Sequence, residues 1–324
     1  MNIDIFSIQS EAQFNEACLA TFKAQLQSCE VYASYVQHLG CDSDQITHYK
    51  DIPFLPVQFF KTQRVFDRKK TIVQTFSSSG TTGMVNAQHH VADLGIYETS
   101  FRAAFKQFYG DIKDIALLAL LPNYQERTGS SLIYMVDDLI KHSQQPESNY
   151  FLYDHENLYQ ALLALKKKGT KTVLIGVTYA LLDFIAQYNL HFPALIIMET
   201  GGMKGKRKEM IREEVHALLK EGFGVSQIHS EYGMTELLSQ GYSLGEGIFQ
   251  TPSWMRILIR DTNDPLSLQT SKNTGAINVI DLANQDSCAF IATQDLGRLY
   301  KDNQFEVLGR FDQADIRGCN LLVQ

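Results

Sequence analysis

The chain has 324 residues, 44% of them hydrophobic and 20% charged, which is the composition of a folded globular protein and not of a disordered or fibrous one. Its formal net charge of −7 argues against nucleic acid as a main partner. The five cysteines, Cys18, Cys29, Cys41, Cys288 and Cys319, are odd in number and form no C-x-x-C pair, so neither a disulfide framework nor a zinc ribbon is expected.

Reduced thiols, with no basic and apolar leader after Met1, predict a cytoplasmic protein. The longest aliphatic run, Ile115 to Leu121, is too short to span a bilayer, so the chain is not expected to cross a membrane. The length predicts two lobes, or one large α/β domain with an appended region.

Ser10 and Gln13 form a capping-box signal, and Phe14, Cys18, Phe22 and Leu26 then recur every fourth residue as one helical stripe. Cys18 thereby belongs to a core. A second helix over 31–39 ends at Gly40. Pro53 and Pro56 impose an extended path on Ile52 to Lys61, whose aromatics are expected to pack on a neighbouring lobe.

A strand over 71–76 leads into the loop Ser77-Ser78-Ser79-Gly80-Thr81-Thr82-Gly83, and a helix over 92–109 follows. Strands at 114–121, 171–177 and 194–199 then alternate with helices at 129–142, 158–168, 179–188 and 206–221. Continuous apolar strands alternating with helices predict a mostly parallel sheet covered on both faces. Ligands of such sheets bind beyond the carboxyl ends of the strands, where the Gly201-Gly202 turn falls. From about residue 246 short β-like runs at 255–260, 275–282 and 305–308 alternate with Asp/Asn/Gly turns and predict a smaller β-rich subdomain up to 310. Residues 311–324 then form a short tail. Cys288 reads as strand core.

The hydroxyl- and glycine-rich loop is suited to a phosphate chain, because glycine lets successive N–H groups converge while Ser and Thr add donors. It is not a P-loop, since Met84 and Val85 follow Gly83 where a Lys would stand. Downstream, in fixed order, come Gly201-Gly202-Met203, Tyr232-Gly233-Met234-Thr235-Glu236, Thr293-Gln294-Asp295-Leu296-Gly297 and Gly309-Arg310-Phe311-Asp312. Each block taken alone also reads as ordinary structure: a helix cap after Tyr-Gly, a hairpin turn at Asp295, a surface ion pair between Arg310 and Asp312.

The ordered set resembles the adenylate-forming superfamily of acyl-CoA synthetases, adenylation domains and luciferases over roughly residues 50–318. The Ile52 to Lys61 stretch, the short length and the terminal Arg317-Gly318-Cys319 are similar within it to the acyl-protein synthetase (long-chain-fatty-acid luciferin-component ligase) family. The resemblance implies an α/β fold with mostly parallel sheets flanked by helices and a smaller β-rich subdomain. It makes residues 1–245 the adenylating core with its helical N-terminal segment. Larger relatives carry a catalytic Lys on a further C-terminal domain, which is expected here to be absent or vestigial.

The resemblance further implies use of ATP and Mg²⁺. Ser77, Ser78, Ser79, Gly80, Thr81, Thr82 and Gly83 would hold the β- and γ-phosphates. Tyr232 would stack on adenine, and Gly201, Gly202 and Met203 would line the other side of the base. Gly233 and Met234 belong to the same nucleotide-binding turn. Thr235 would hydrogen-bond the α-phosphate, and Glu236 would hold Mg²⁺ through its hard carboxylate oxygens. Asp295 would accept both ribose hydroxyls, and Arg310 would touch ribose or phosphate. Lys61, His89 and His90 are candidates for the charge that the Pro-Lys of many relatives supplies.

The implied reaction is activation of a carboxylic, fatty acid as acyl-AMP. Transfer to a cysteine thiol follows, and then to a partner such as a reductase or an acyl carrier protein. Cys319 is either that acceptor, a thiolate being the competent nucleophile, or a packed residue of a terminal strand. Two alternatives stand beside this reading: an acyl-CoA or carrier-protein ligase of the phenylacetate-CoA ligase type, and a non-catalytic nucleotide- or acyl-binding subunit.

Overall fold

The computed structural model describes residues 4–78, 85–122, 129–201, 210–269 and 273–310. Helices α1 (Glu11–Ser28) and α2 (Glu30–His38) precede β1 (Leu55–Pro56) and the one-turn α3 (Phe59–Thr62). The hairpin strands β2 (Gln74–Ser77) and β3 (Gln88–Val91) lead to α4 (Leu94–Tyr109), β4 (Ile115–Leu120) and α5 (Ser131–His142). Next come β5 (Asn149–Tyr150), α6 (His155–Lys168), β6 (Lys171–Val177), α7 (Thr178–Ile185), β7 (Ile196–Thr200) and α8 (Arg212–Phe223). Seven further strands complete the described chain: β8 (His229–Tyr232), β9 (Gly241–Ser243), β10 (Ile248–Gln250), β11 (Met255–Arg260), β12 (Thr274–Asp281), β13 (Phe290–Leu299) and β14 (Phe305–Arg310).

Of the described residues, those within 71–252 fold as one unit, and those within 4–70 and 253–310 as another. In the 71–252 unit the strands follow the order β10-β9-β8-β7-β6-β4-β5. From β8 to β5 they run parallel, whereas β9 and β10 join antiparallel. All of β4 is buried, and β6 is buried from Thr172 onward, as strands covered on both faces require. Asp93 caps α4 through Gly95 N, and Asp154 caps α6, which Gly169 ends in the left-handed conformation. The expected helix over 206–221 is α8; its first residues, 206–209, lie outside the described ones.

In the second unit β11, β12, β13 and β14 form an antiparallel meander, and β1 runs parallel to the first half of β13 through Leu55–Ile291 and Pro56–Ala292. Phe290 opens β13 at the centre of an aromatic cluster. Tyr32 stacks on it at 6.2 Å, while Phe22 and Phe54 meet it edge-on at 6.3 and 6.1 Å.

Several expectations change here. The N-terminal helices fold with the C-terminal strands, not with the α/β unit, because the cluster around Phe290 buries them there, and the boundary expected near 245 falls at 252/253. Phe54 and Phe59 pack within their own unit, on Phe290 and Tyr35, and Phe59–Thr62 closes a helical turn once Pro56 is passed. Asp295 is not in a hairpin turn but inside β13. Cys288 is buried but precedes that strand.

Gln25 is 1% exposed and joins α1 to the loop before β13. Its amide nitrogen donates to the carbonyls of Asn284 (2.8 Å) and Gln285 (3.2 Å), and its oxygen accepts from Ala289 N (3.0 Å). Leucine fits the volume but strands these buried backbone groups, so Gln25→Leu is expected to cost about 2–3 kcal/mol in a denaturant titration. A loss below about 0.5 kcal/mol would remove this strut from the account.

Candidate active site

At the end of β2 the hydroxyl loop is clamped on both sides. Ser77 N donates to Gly129 O (2.7 Å), Ser78 N donates to Ala87 O (3.1 Å), and Ser78 Oγ accepts from Ala87 N (2.9 Å). Ser77 pairs with Gln88 as the last rung of the β2–β3 hairpin. Ser79, Gly80, Thr81, Thr82 and Gly83 lie outside the described residues. On β3, His89 is fully buried, and its Nδ1 lies 2.9 Å from the Thr235 carbonyl. A carbonyl only accepts, so Nδ1 carries the hydrogen. His90 Nδ1 meets Thr75 Oγ1 at 2.9 Å. His89, one of the histidines named as a source of charge, thus fixes the backbone of Thr235.

Tyr232 is the last residue of β8, 8% exposed, with its ring edge-on to Phe249 at 6.1 Å. Gly233 to Leu237 then turn back, with Leu237 N donating to Met234 O at 3.1 Å. No helix starts here, so the helix-cap reading of Thr235 fails. Glu236 is 7% exposed within this turn. Gln240 is 4% exposed, and its Oε1 has no hydrogen-bond partner among the described residues. A buried acceptor in that state suits a ligand donor or an ordered water. Residue 201 has φ +60°, a conformation that glycine adopts without strain, so the turn after β7 requires it. Gly202 and Met203 lie outside the described residues.

Polar groups that the sequence reading passed over hold the ends of β7 and β8. Thr178 Oγ1 lies 3.0 Å from Glu199 Oε2 and 3.2 Å from Gly201 O. Ser230 Oγ donates to Glu199 Oε1 (3.0 Å), and His216 Nε2 is 3.4 Å from the same oxygen. Burial pushes the Glu199 carboxyl up, but His216, Ser230 and Thr178 outweigh it and hold it below the usual carboxylate range. Glu231 differs: burial raises its carboxyl to about 7, against one hydroxyl bond from Thr200 Oγ1 at 2.8 Å. The available signal was a Glu at the carboxyl end of each of two parallel strands, in Met-Glu-Thr and Ser-Glu-Tyr.

In the other unit Asp295 is 6% exposed and stands opposite Arg310 in the β13–β14 register. Arg310 Nε is 3.3 Å from Asp295 Oδ1, so Asp295 holds the ion pair that the sequence offered to Asp312. Asp312 and Cys319 lie outside the described residues. Cys18, Cys29 and Cys288 are buried and Cys41 is half-buried; burial pushes all four thiols up. Among the described residues no group of three or more His, Cys, Asp or Glu could hold a metal ion, and no helix is long and apolar enough to cross a membrane.

The family model "Acyl-protein synthetase, LuxE" matches residues 3–324. No curated protein sequence matches the chain. Among solved structures, ATP-bound MatB from Rhodopseudomonas palustris is similar over 76% of this chain and 49% of its own, at 15% identity and a TM-score of 0.55. The chain therefore spans about half the length of that protein. An open 2-hydroxyisobutyryl-CoA ligase in complex with 2-HIB-AMP and CoA is similar over 94% of this chain and 76% of its own, at 11% identity and a TM-score of 0.64. The same ligase in its postadenylation state gives 93%, 68%, 10% and 0.65. Likeness at such identities shows the fold, which is that of adenylate-forming ligases.

Proposed function

Because the chain belongs to the acyl-protein synthetase LuxE family, we propose that it activates a fatty acid with ATP as acyl-AMP and passes the acyl group to a cysteine thiol and on to a partner protein. One observation carries the nucleotide part of this reading. The stem of the hydroxyl loop and the Tyr232–Glu236 turn are joined through His89 at the carboxyl end of β8, where a parallel sheet binds its ligands.

In this reading the loop from Ser77 to Gly83 holds the β- and γ-phosphates. Tyr232, Gly233 and Met234 with Gly201, Gly202 and Met203 hold adenine, and Thr235 bonds the α-phosphate. Asp295 and Arg310 serve ribose and phosphate. Positioning and charge neutralisation dominate such chemistry, so a clamped loop and a braced turn are the kind of parts it needs. Glu236 fits a Mg²⁺ role, because this ion takes one or two carboxylates together with substrate phosphates and needs no cluster of protein ligands. Bound there, the ion would neutralise phosphate charge.

Cys319 is the proposed acyl acceptor. In support, the four described cysteines have thiols pushed up by burial and are poor thiolates. The partner is a reductase or an acyl carrier protein, and the working compartment is the cytoplasm.

Intact-protein mass after incubation with Mg-ATP and a panel of fatty acids tests the reading, with AMP and pyrophosphate release assayed in parallel. The expected result is an acyl increment with AMP release on wild type, and on Cys319→Ser no increment and no stoichiometric AMP, the acid being converted to acyl-AMP with release of pyrophosphate only. Pyrophosphate release with no increment, and AMP release only once CoA is added, would move the acceptor to an external thiol such as CoA. The absence of increment, AMP and pyrophosphate across the panel would favour a non-catalytic binding subunit.

A further inference from the structure

We propose that Glu231 is a positioning residue of the nucleotide site, its carboxyl coupling the Gly201 turn after β7 to the Tyr232-Gly233 turn after β8. The inference rests on the adenylate reading above and assigns a residue to the alignment of the walls proposed there to hold adenine.

The backbone ladder between β7 and β8 consists of Met198–His229 and Glu199–Ser230 and stops there. One residue further on, the strands are joined by side chains: Thr200 Oγ1 donates to Glu231 Oε2 at 2.8 Å. The other oxygen faces the next turn. A Cβ built on Gly233 would stand 2.5 Å from Glu231 Oε1, closer than such atoms ever approach, so the glycine backbone is seated on the carboxyl. The next side chain, at Gln240 Cγ, is at an ordinary contact distance of 3.6 Å. A single carboxyl thus touches Thr200, which leads into Gly201, and Gly233, which follows Tyr232. The Gly201 turn is also reached by Thr178, at 3.2 Å from its carbonyl.

Among the described residues no cation pairs with the Glu231 carboxyl. Tyr242 of β9 stands across from it in register, and Tyr109 of α4 feels its charge; burial keeps both phenols neutral. His229, two residues back on β8, lies 3.3 Å from Tyr109 Oη, and burial lowers it to about 4, so it is neutral as well. A carboxyl that burial raises to about 7 is roughly half protonated near pH 7, so it braces the turn while repelling a polyphosphate less than an ordinary carboxylate does.

The test is titration calorimetry of ATP binding to the full chain, with thermal melting alongside. Glu231→Gln, which keeps an oxygen for Thr200, is expected to bind within about twofold of wild type, and Glu231→Ala about tenfold more weakly. Thr200→Val, which leaves the carboxyl in place, should weaken binding to a similar extent, and adding it to Glu231→Ala should weaken binding no further. Gly233→Ala should lose affinity, and Glu231→Ala should restore part of that loss by clearing the 2.5 Å contact. If Glu231→Ala does not fold, Thr200→Val and Gly233→Ala still decide the matter, and wild-type affinity in both overturns the proposal. Tyr232→Ala separates the two levels. Affinity lost in Tyr232→Ala but kept in Glu231→Ala overturns the coupling alone, whereas a wild type that binds no ATP overturns the coupling and the adenylate reading together.

Discussion

Arg260→Leu is expected to lower the stability of its unit by about 3 kcal/mol. The β12–β13 ladder is interrupted between Asn278–Ala292 and Ala276–Leu296. A bulge of this kind leaves carbonyls without their ladder donors. Arg260, 5% exposed at the end of β11, fills the gap. Its Nη1 donates to Ile277 O (2.6 Å) and Asn278 Oδ1 (2.8 Å), and its Nη2 to Thr293 O (2.5 Å). Burial lowers the guanidinium to about 10, with Tyr35 and Asp295 opposing the shift, so it remains charged near pH 7. Leucine restores none of these donors. Arg260→Lys is expected to fall between, because an ammonium lacks the planar fork that reaches both sides of the bulge. Chemical denaturation of the three proteins measures this, and a loss under about 1 kcal/mol for leucine would remove the guanidinium from its place as strap.

The second large effect is a cancellation. Glu231 and His229 alternate onto the same face of β8 and titrate with opposite consequences. The Glu231 carboxyl is raised by burial from 4.5 to about 7, so the stability it contributes is fully present below pH 4.5 and is lost as pH rises to 7. The His229 imidazole is lowered by burial from 6.5 to about 4, so its contribution is present above pH 6.5 and is lost as pH falls to 4. Between pH 4.5 and 6.5 the two slopes oppose each other. Glu231→Gln is therefore expected to make the protein lose stability on acidification more steeply than wild type, by on the order of 1–3 kcal/mol across that window, partial exposure trimming the full slope. His229→Gln should tilt the curve the other way. Unfolding free energies measured at several pH values decide this, and three parallel curves would refute it.

The fold was readable where one physical signal dominated. Strands β6 and β11 fall on the expected residues, because apolar runs bounded by turn residues have few other ways to be buried. Gly169 ends α6 as expected, since a left-handed cap suits glycine. By contrast only the start of β13, around Phe290 and Ile291, was read as strand. Its sequence, Phe-Ile-Ala-Thr-Gln-Asp-Leu-Gly-Arg-Leu, mixes an apolar half with a polar half, and Asp295 beside Gly297 imitates a turn. Tertiary pairing with β12 and β14 decides its conformation.

At the site, the Tyr-Gly turn was visible as a local motif. Its supports were not: Thr200 and Glu231 are 31 residues apart in sequence, and His89 and Thr235 are 146 apart. Spacing along the chain carries no sign of such pairs. Nor did the sequence reading anticipate that the N-terminal helices belong with the late strands, because that association rests on Phe22 and Tyr32 meeting Phe290 in three dimensions.

Asp295 and Arg310 form the outermost described rung of the β13–β14 ladder, separated by a register shift from the rungs at Gly297, Arg298 and Leu299. In mechanical terms a pull applied at Arg310 meets that rung before the inner ones, as a zipper opens from the end that is drawn. The inner rungs stay closed while it parts, so the break is local and inexpensive compared with unfolding the meander. The residue proposed to hold ribose therefore sits on the part of the described ladder most responsive to force applied at Arg310.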